Sequence, residues 1–299
     1  MRLLSWNVNG LRAVAARGDH SWLFQPESNL DVIGLQETKL QEPQLDTALR
    51  DPPGYRGFFS FGVRKGYSGT ALYVRDTIAC EQVPFLIGGA TRPELDVEGR
   101  IVAVDFGAAL VLCGYFPNGG SSDERLAFKH AWHDALLVRV LEHARQQPVI
   151  LCGDFNIAHK PIDVALPERW AQHSGFLPVE RAWFDRLLAS GFVDSFRAEK
   201  GDLPRQFTFW DTRTDARPDN IGWRIDYVVV PLTLEERLLD AWIAPHVMGS
   251  DHCPVGVELD LRLQKRDAAA SADGRGEEDA EEHDGDVEEE EDASARRRR

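Results

Sequence analysis

The chain has 299 residues, 43% of them hydrophobic, with eight tryptophans and fifteen phenylalanines: material for one large α/β domain or two average ones. Its net charge of −15 excludes a uniformly basic surface, so any contact with a polyanion must come from a local patch. No apolar run approaches the roughly 18 residues of a membrane span, and the N-terminal residues read as a strand rather than a secretion signal.

In chain order, strand-like runs lie at residues 3–8, 32–37, 56–61, 70–74, 101–106, 110–116, 149–154, 207–210, 223–230 and 255–261. Several are too close together for a crossover helix, so antiparallel pairing must be common. Two helices stand out. Ser121-Ser-Asp-Glu124 has the form of a capping box with Ser121 at the cap. Leu126, His130, His133, Leu137, Val140 and Leu141 follow at helical spacing, and Pro148 marks the limit. Pro178 opens and Gly191 closes a second helix over about residues 179–190. Many strands and few helices predict an α/β fold of two mixed sheets packed face to face, with helices outside. The four cysteines, Cys80, Cys113, Cys152 and Cys253, lack metal-type spacing. Reduced, mostly buried thiols in a cytoplasmic protein are expected.

Residues 1–263 show no linker and no repeat, and are expected to form one domain. Residues 264–299 differ. From Arg266 onward there are fourteen acidic and six basic residues, ending in four arginines, with almost nothing apolar to bury. A disordered acidic tail is expected there.

The segment Leu151-Cys-Gly-Asp154-Phe-Asn156 carries the most information. An apolar run stops at Gly153 and delivers a carboxylate and an amide two positions apart, which on an extended chain point the same way. The layout recurs where Leu4-Ser5-Trp6 runs into Asn7-Val8-Asn9, where Val32-Ile33-Gly34-Leu35 runs into Gln36-Glu37, and at Ser250-Asp251-His252. Asn7, Asn9, Glu37, Asp154, Asn156, Asp251 and His252 therefore suggest one shared site. Their hard oxygen donors suit Mg²⁺ or Mn²⁺ better than Zn²⁺, and Glu37 is the best candidate for a direct ligand. Asp226, which ends Trp223-Arg-Ile-Asp226, is the candidate carboxylate behind His252.

These blocks, with Ser5-Trp-Asn-Val-Asn-Gly-Leu-Arg12, Leu35-Gln-Glu-Thr-Lys39, Gly66-Tyr-Ser-Gly69 and Gly114-Tyr-Phe-Pro-Asn118, run in order from Arg2 to about Leu261. Together they resemble the exonuclease III / apurinic-apyrimidinic (AP) endonuclease family of the endonuclease/exonuclease/phosphatase superfamily. The resemblance implies a four-layer α/β sandwich. It also implies Mg²⁺-dependent hydrolysis of the DNA phosphodiester 5′ to an abasic site, with Mn²⁺ able to substitute. Activity as a 3′ phosphodiesterase and 3′→5′ exonuclease is implied as well. In these roles Glu37 holds the metal with Asn7, Asn9 and Asp251 close by. Asp154 activates water, Asn156 donates to the phosphate, and His252, oriented by Asp226, stabilises charge on it. Tyr115 and Asn118 contact the phosphate, and the choice of Asp154 or the Tyr115 phenolate as base is left open.

The resemblance also implies an apolar slot of Phe209, Trp223 and Ile225 that accepts a sugar without a base. Arg12, Lys65 and Tyr67 would grip the backbone beside the lesion. The expected partner is duplex DNA with abasic sites, met by a monomer in the bacterial cytoplasm, at the nucleoid. The acidic tail is expected to be a solvated element that keeps the protein soluble or, in a sharper reading, to compete with DNA for the same basic residues. The competing expectations are a superfamily phosphodiesterase acting on RNA or inositol phosphates, or an inactive DNA-binding module.

Overall fold

The computed structural model describes residues 1–266, so the expected acidic tail from residue 267 on lies outside the described residues. Strands follow in the order β1 (Arg2–Asn7), β2 (Val32–Gln36), β3 (Tyr55–Ser60), β4 (Thr70–Arg75), β5 (Glu81–Val83) and β6 (Ile101–Asp105). Next come β7 (Leu110–Tyr115), β8 (Val149–Asp154), β9 (Phe192–Asp194), β10 (Asp226–Pro231), β11 (Leu238–Ile243) and β12 (Val255–Leu259). The helices are α1 (Leu11–Arg17), α2 (Thr47–Arg50), α3 (Asp123–Ala144), α4 (Pro167–Trp170), α5 (Pro178–Ala189) and α6 (Ser195–Lys200). One six-stranded sheet has the order β11-β12-β1-β2-β4-β3, the other β5-β6-β7-β8-β10-β9. Only β1/β2 and β7/β8 run parallel, so both sheets are mixed as expected.

The layers follow from strand alternation. Leu3, Val111, Cys113, Ile150, Cys152 and Val228 face between the sheets. Their neighbours Leu110, Leu112, Val149, Leu151 and Val229 face outward, onto Trp132, Leu136 and Val140 of α3 and Trp183, Phe184 and Leu187 of α5. On the other sheet Leu4, Trp6, Ile33 and Leu35 pack on Leu11 and Val14 of α1. Central strands buried on both faces need apolar residues at every position, which explains the continuous runs. Each such side chain contributes about 1.5–3 kcal/mol.

The register brings the chemistry to one end. Asn7 pairs with Gln36, and Asp154 pairs with both Tyr115 and Asp226. The β7/β8 approach requires glycine at 153: φ is +148°, and a Cβ there would lie 1.9 Å from the Gly114 carbonyl oxygen.

Several local expectations need correction. The α3 cap is Ser122, not Ser121; its Oγ accepts from Arg125 N at 3.2 Å, which puts Arg125 rather than Glu124 in the third helical position. Residues 207–210 form isolated bridges rather than a ladder, from Phe209 to Trp223 and to His252. Strand β10 begins only at Asp226, because the chain before it turns to Phe209 and Val164, to which Trp223 bridges, instead of joining the sheet. Strands β5, β9 and β11 were not expected; two are three residues long and β11 is half-exposed, which leaves no apolar run to read. Residues 264–266 run beside Thr77, Ile78 and Ala79, with Ala79 N donating to Gln264 O and Arg266 N to Thr77 O.

Candidate active site

Asn7 joins the two sheets. Its Nδ2 donates to Glu37 Oε1 at 3.0 Å and to Asp154 Oδ2 at 2.9 Å, while its Oδ1 accepts from Asn9 N. Asp154 is also held by Asn156, whose backbone N–H lies 2.8 Å from Oδ1 and whose Nδ2 lies 3.3 Å from Oδ2. Asn156 donates to Phe116 O, and Asn118 donates to Asn156 Oδ1 at 3.2 Å. Asn9 donates to Asp251 Oδ1 at 3.0 Å. His252 Nδ1 lies 2.8 Å from Asp226 Oδ2, and its Nε2 lies 3.9 Å from Asp154 Oδ2. Ser250 Oγ donates to Asn7 O and accepts from His252 N, which ties this loop to the end of β1.

Asn9, Glu37, Lys39 and Asn156 all have φ between +49° and +54°. For Glu37 and Lys39 this conformation costs on the order of 1–3 kcal/mol each. The surrounding backbone fixes it: Gly10 N donates to Glu37 O, Thr38 N to Gly69 O and Lys39 N to Ser68 O. The result aims the Glu37 carboxylate at Asn7 and Asp154.

The electrostatics separate the two central groups. Burial would lower the His252 pKa, but Asp226, with Asp154 and Asp251, outweighs burial and pushes it up to about 10. Burial, with Asp226 and Glu37, outweighs His252 and lifts Asp154 up to about 7. The imidazole therefore holds its proton in preference to the carboxylate. Burial, and after it Glu37, pushes the Tyr115 phenol well up, against Arg100.

Candidate ligand atoms of Glu37, Asp154 and His252 lie within 4.8 Å of one another. A protonated imidazole is a donor and cannot ligate a cation, so the oxygens of Glu37 and Asp154 are the better pair. The Lys39 ammonium lies 3.1 Å from Glu37 Oε2 and also donates to Asn9 Oδ1, so the spot already accommodates positive charge. Asp154 is raised first by burial and then by Asp226 and Glu37, and a divalent cation beside it would offset the carboxylate part of that shift. The donor set fits a hard cation.

The residues expected to form the slot lie beside this site, in one apolar cluster. Ala158, Val164, Phe176 and Ile225 are buried, with Trp170, Phe209 and Trp223 packed against them. The Phe209 ring centre is 4.9 Å from that of His252, and Trp170 lies 5.5 Å from Trp223. Thr208 binds the slot to the reacting end: its Oγ1 accepts from Ile225 N and Asp226 N, and its O accepts from Cys253 N. Phe207 points away, into a cluster with Trp210 and Cys253.

The sequence reading gave no slot role to Ala158, at the end of the Gly153–Ala158 block, to Trp170, at the end of α4, or to Val164 and Phe176, which come from loops without a motif. It also missed what braces the slot. Arg224, between two slot residues, is fully buried and pairs with Asp163 Oδ1 at 2.8 Å and Asp194 Oδ2 at 2.7 Å. Alternation within Trp223-Arg-Ile225 was the available signal, since it turns Arg224 away from the slot. Lys39 closes the Leu35-Gln-Glu-Thr-Lys39 block, where the sequence alone gives it no role.

The candidate DNA contacts are more scattered. Arg12 is exposed on α1 and Lys65 is exposed between β3 and β4; neither hydrogen-bonds to the cluster among the described residues. Tyr67 is half-buried, and its hydroxyl accepts from Arg100 and Arg125 at 2.9 Å each. Glu98 binds both arginines, and Arg100 donates to Tyr115 O. A chain of contacts thus links Tyr67 to Tyr115.

Known proteins are similar to this chain in sequence and fold. A sequence model of the Endonuclease/Exonuclease/phosphatase family matches residues 4–252. An exodeoxyribonuclease of Bacillus subtilis (strain 168) is 44% identical over 262 residues, covering 87% of this chain and 100% of the relative. The structure of an AP endonuclease from Archaeoglobus fulgidus superposes with a TM-score of 0.77 at 27% identity, over 87% of this chain and 100% of the other. The 3′ phosphatase NExo from Neisseria, solved bound to a product DNA hairpin, gives a TM-score of 0.77 at 28% identity, over 87% and 99%. With its whole sandwich matched in both sequence and fold, this chain belongs to the endonuclease/exonuclease/phosphatase family, in the exodeoxyribonuclease and AP-endonuclease branch.

Proposed function

We propose that this protein is a DNA-repair nuclease that hydrolyses the phosphodiester 5′ to an abasic site in duplex DNA. The observation that carries the reading is the contact between Phe209 and His252. An apolar slot that borders the reacting imidazole suits a sugar swung out of the helix without its base. A nucleotide that keeps its base is larger and costs more to extrude.

The roles follow from chemistry. Glu37 and Asp154 would hold Mg²⁺, or Mn²⁺ in its place, which supplies positive charge at the non-bridging phosphate oxygens. Asp154 takes the proton of the attacking water. Its place beside the cation supports this choice, and the raised Tyr115 phenol counts against a phenolate base. Asn156, with Asn118 beside it, donates to the phosphate. Protonated His252 stabilises the charge that builds on it, and Asp226 keeps the imidazole charged and oriented. Tyr115 contacts the phosphate as a neutral donor. Asn9 and Asp251, joined to each other, border the cation. Phe209, Trp223 and Ile225 form the slot, and Arg12, Lys65 and Tyr67 grip backbone phosphates.

The same centre would serve 3′ phosphodiesterase and 3′→5′ exonuclease reactions, which need the same phosphate geometry at a strand end. The reading implies a monomer acting at the bacterial nucleoid, and the four unpaired cysteines are consistent with a reducing cytoplasm. A nicking assay on a duplex with one abasic site tests it. Expected is cleavage 5′ to the site, abolished by EDTA and restored by Mg²⁺. Equal activity on intact duplex, or activity only on phosphate monoesters, would overturn it.

A further inference from the structure

A second buried charge pair lies behind the reacting turn and serves no role assigned so far. Lys129 of α3 and Glu180 of α5 are both fully buried, with Nζ 2.6 Å from Glu180 Oε1. Burial lowers the Lys129 pKa, and Glu180 opposes it. Lys129 Nζ also donates to Asn156 O at 2.8 Å. The Glu180 carboxylate accepts three further bonds: Ser174 Oγ at 2.9 Å, Gly175 N at 2.6 Å and Leu177 N at 3.0 Å.

Residues 174–177 form one wall of the slot. Phe176 is part of its buried lining. Gly175 has φ +99°, its O accepts from Ala158 N, and a Cβ there would lie 3.3 Å from the Trp223 ring and 3.4 Å from Asn156 O. One ion pair thus holds the carbonyl of a phosphate-contacting residue on one side and the slot wall on the other. A buried ion pair is a weak source of net stability, because desolvation offsets the attraction. It does fix distance and direction. Misplacing reacting groups by about 1 Å can cost roughly 10²-fold in rate.

We propose that Lys129 and Glu180 are positioning residues that set the spacing between the Asp154-Phe-Asn156 turn and the slot wall, and so set both turnover and the preference for a baseless sugar. The proposal rests on the abasic-site reading above.

The test uses the full chain. The double variant Lys129→Met/Glu180→Gln removes both charges and keeps an acceptor for Gly175 N. Expected is a Tm near wild type, kcat on abasic duplex lowered about tenfold or more, and a reduced ratio of abasic to intact cleavage. A folded variant with wild-type kcat and ratio overturns the proposal. So does a fall in Tm and kcat with the ratio unchanged, the mark of a merely structural pair. If the double variant fails to fold, Glu180→Asp decides: it keeps both charges but shortens the reach to Gly175 and Leu177. The cleavage ratio should fall, and amide exchange at Gly175, Leu177 and Ala158 should quicken. Unchanged ratio and exchange in folded Glu180→Asp overturn the proposal. Amide exchange needs no substrate, so it separates failure of the clamp from failure of the abasic-site reading, which wild-type nicking tests by itself.

Discussion

The reacting end and the slot sit side by side but are built differently. At the reacting end, Asn7, Asp154 and Asp226 are the terminal residues of paired strands, and Glu37 and His252 lie just beyond strand ends. The ladders fix their backbones, and one or two hydrogen bonds aim each side chain. The slot is assembled from segments around residues 158–164, 174–176 and 207–225 and from Trp170 at the end of the short helix α4, where no ladder runs. Buried ion pairs lie behind it instead: Arg224 with Asp163 and Asp194, and Lys129 with Glu180. Strand ends inherit their order from the sheet. Loops that must hold a shape need internal braces, which is the task of the groups behind a site.

The largest expected effect tests the reacting end. Asp154→Asn and His252→Asn should each lower turnover by about 10²–10⁴-fold, because each removes a proton-transfer or electrostatic contribution of that size. Binding to abasic duplex should survive, since it rests on the slot and on phosphate contacts. Anisotropy in EDTA and single-turnover rates measure the two. Near wild-type cleavage by either variant would break the assignment.

Next in size is the cation. Glu37→Gln should weaken the apparent Mg²⁺ affinity by at least about tenfold, the loss seen even when an outer partner of a metal site is removed. High Mg²⁺ should restore part of the rate. Titration of activity against Mg²⁺ reads this, and an unchanged midpoint would remove Glu37 from the cation site.

Trp223→Ala addresses the slot. It should lower the ratio of abasic to intact cleavage by roughly tenfold, the discrimination that apolar shape alone provides, with a smaller change in kcat. A constant ratio would make Trp223 a packing residue.

The brace has the smallest effect on rate and shows itself in stability. Burial would raise the Asp163 carboxyl, but Arg224 and Arg197 outweigh it and hold it at about 2. A depressed folded pKa gives stability that is fully present above the unfolded value, near 4, and is lost as pH falls toward 2. The linkage amounts to roughly 2 kcal/mol. The Tm gap between wild type and Asp163→Asn should therefore be widest near neutral pH and narrow below about pH 4. A gap independent of pH would mean that the ion pairs do not brace this loop.

These contrasts explain what was legible in the sequence. Sheet composition, the two long helices and the chemistry-bearing strand ends could be read directly, because an apolar run buried on both faces and a polar residue at its end are local signals. The short strands β5 and β9 gave no such run, and the residues of the slot wall share no motif. Lys129 lies on the apolar face of α3, between Leu126 and His133, and Glu180 sits at the third position of α5. Both could have been flagged as charges in buried places, but not paired.

By itself the sequence determined which residues are candidates for the chemistry, since side-chain type and strand alternation are properties of the local chain. Only the tertiary structure decided which of them meet. The sheet register sets Asp154 beside Asp226, and through it beside His252; the bridges of Phe209 set the slot against that imidazole. Protonation too is a tertiary matter. His252 keeps its proton because neighbouring carboxylates outweigh burial, and Asp154 sits near neutrality because burial, with Asp226 and Glu37, outweighs His252, all at distances that no spacing along the chain encodes.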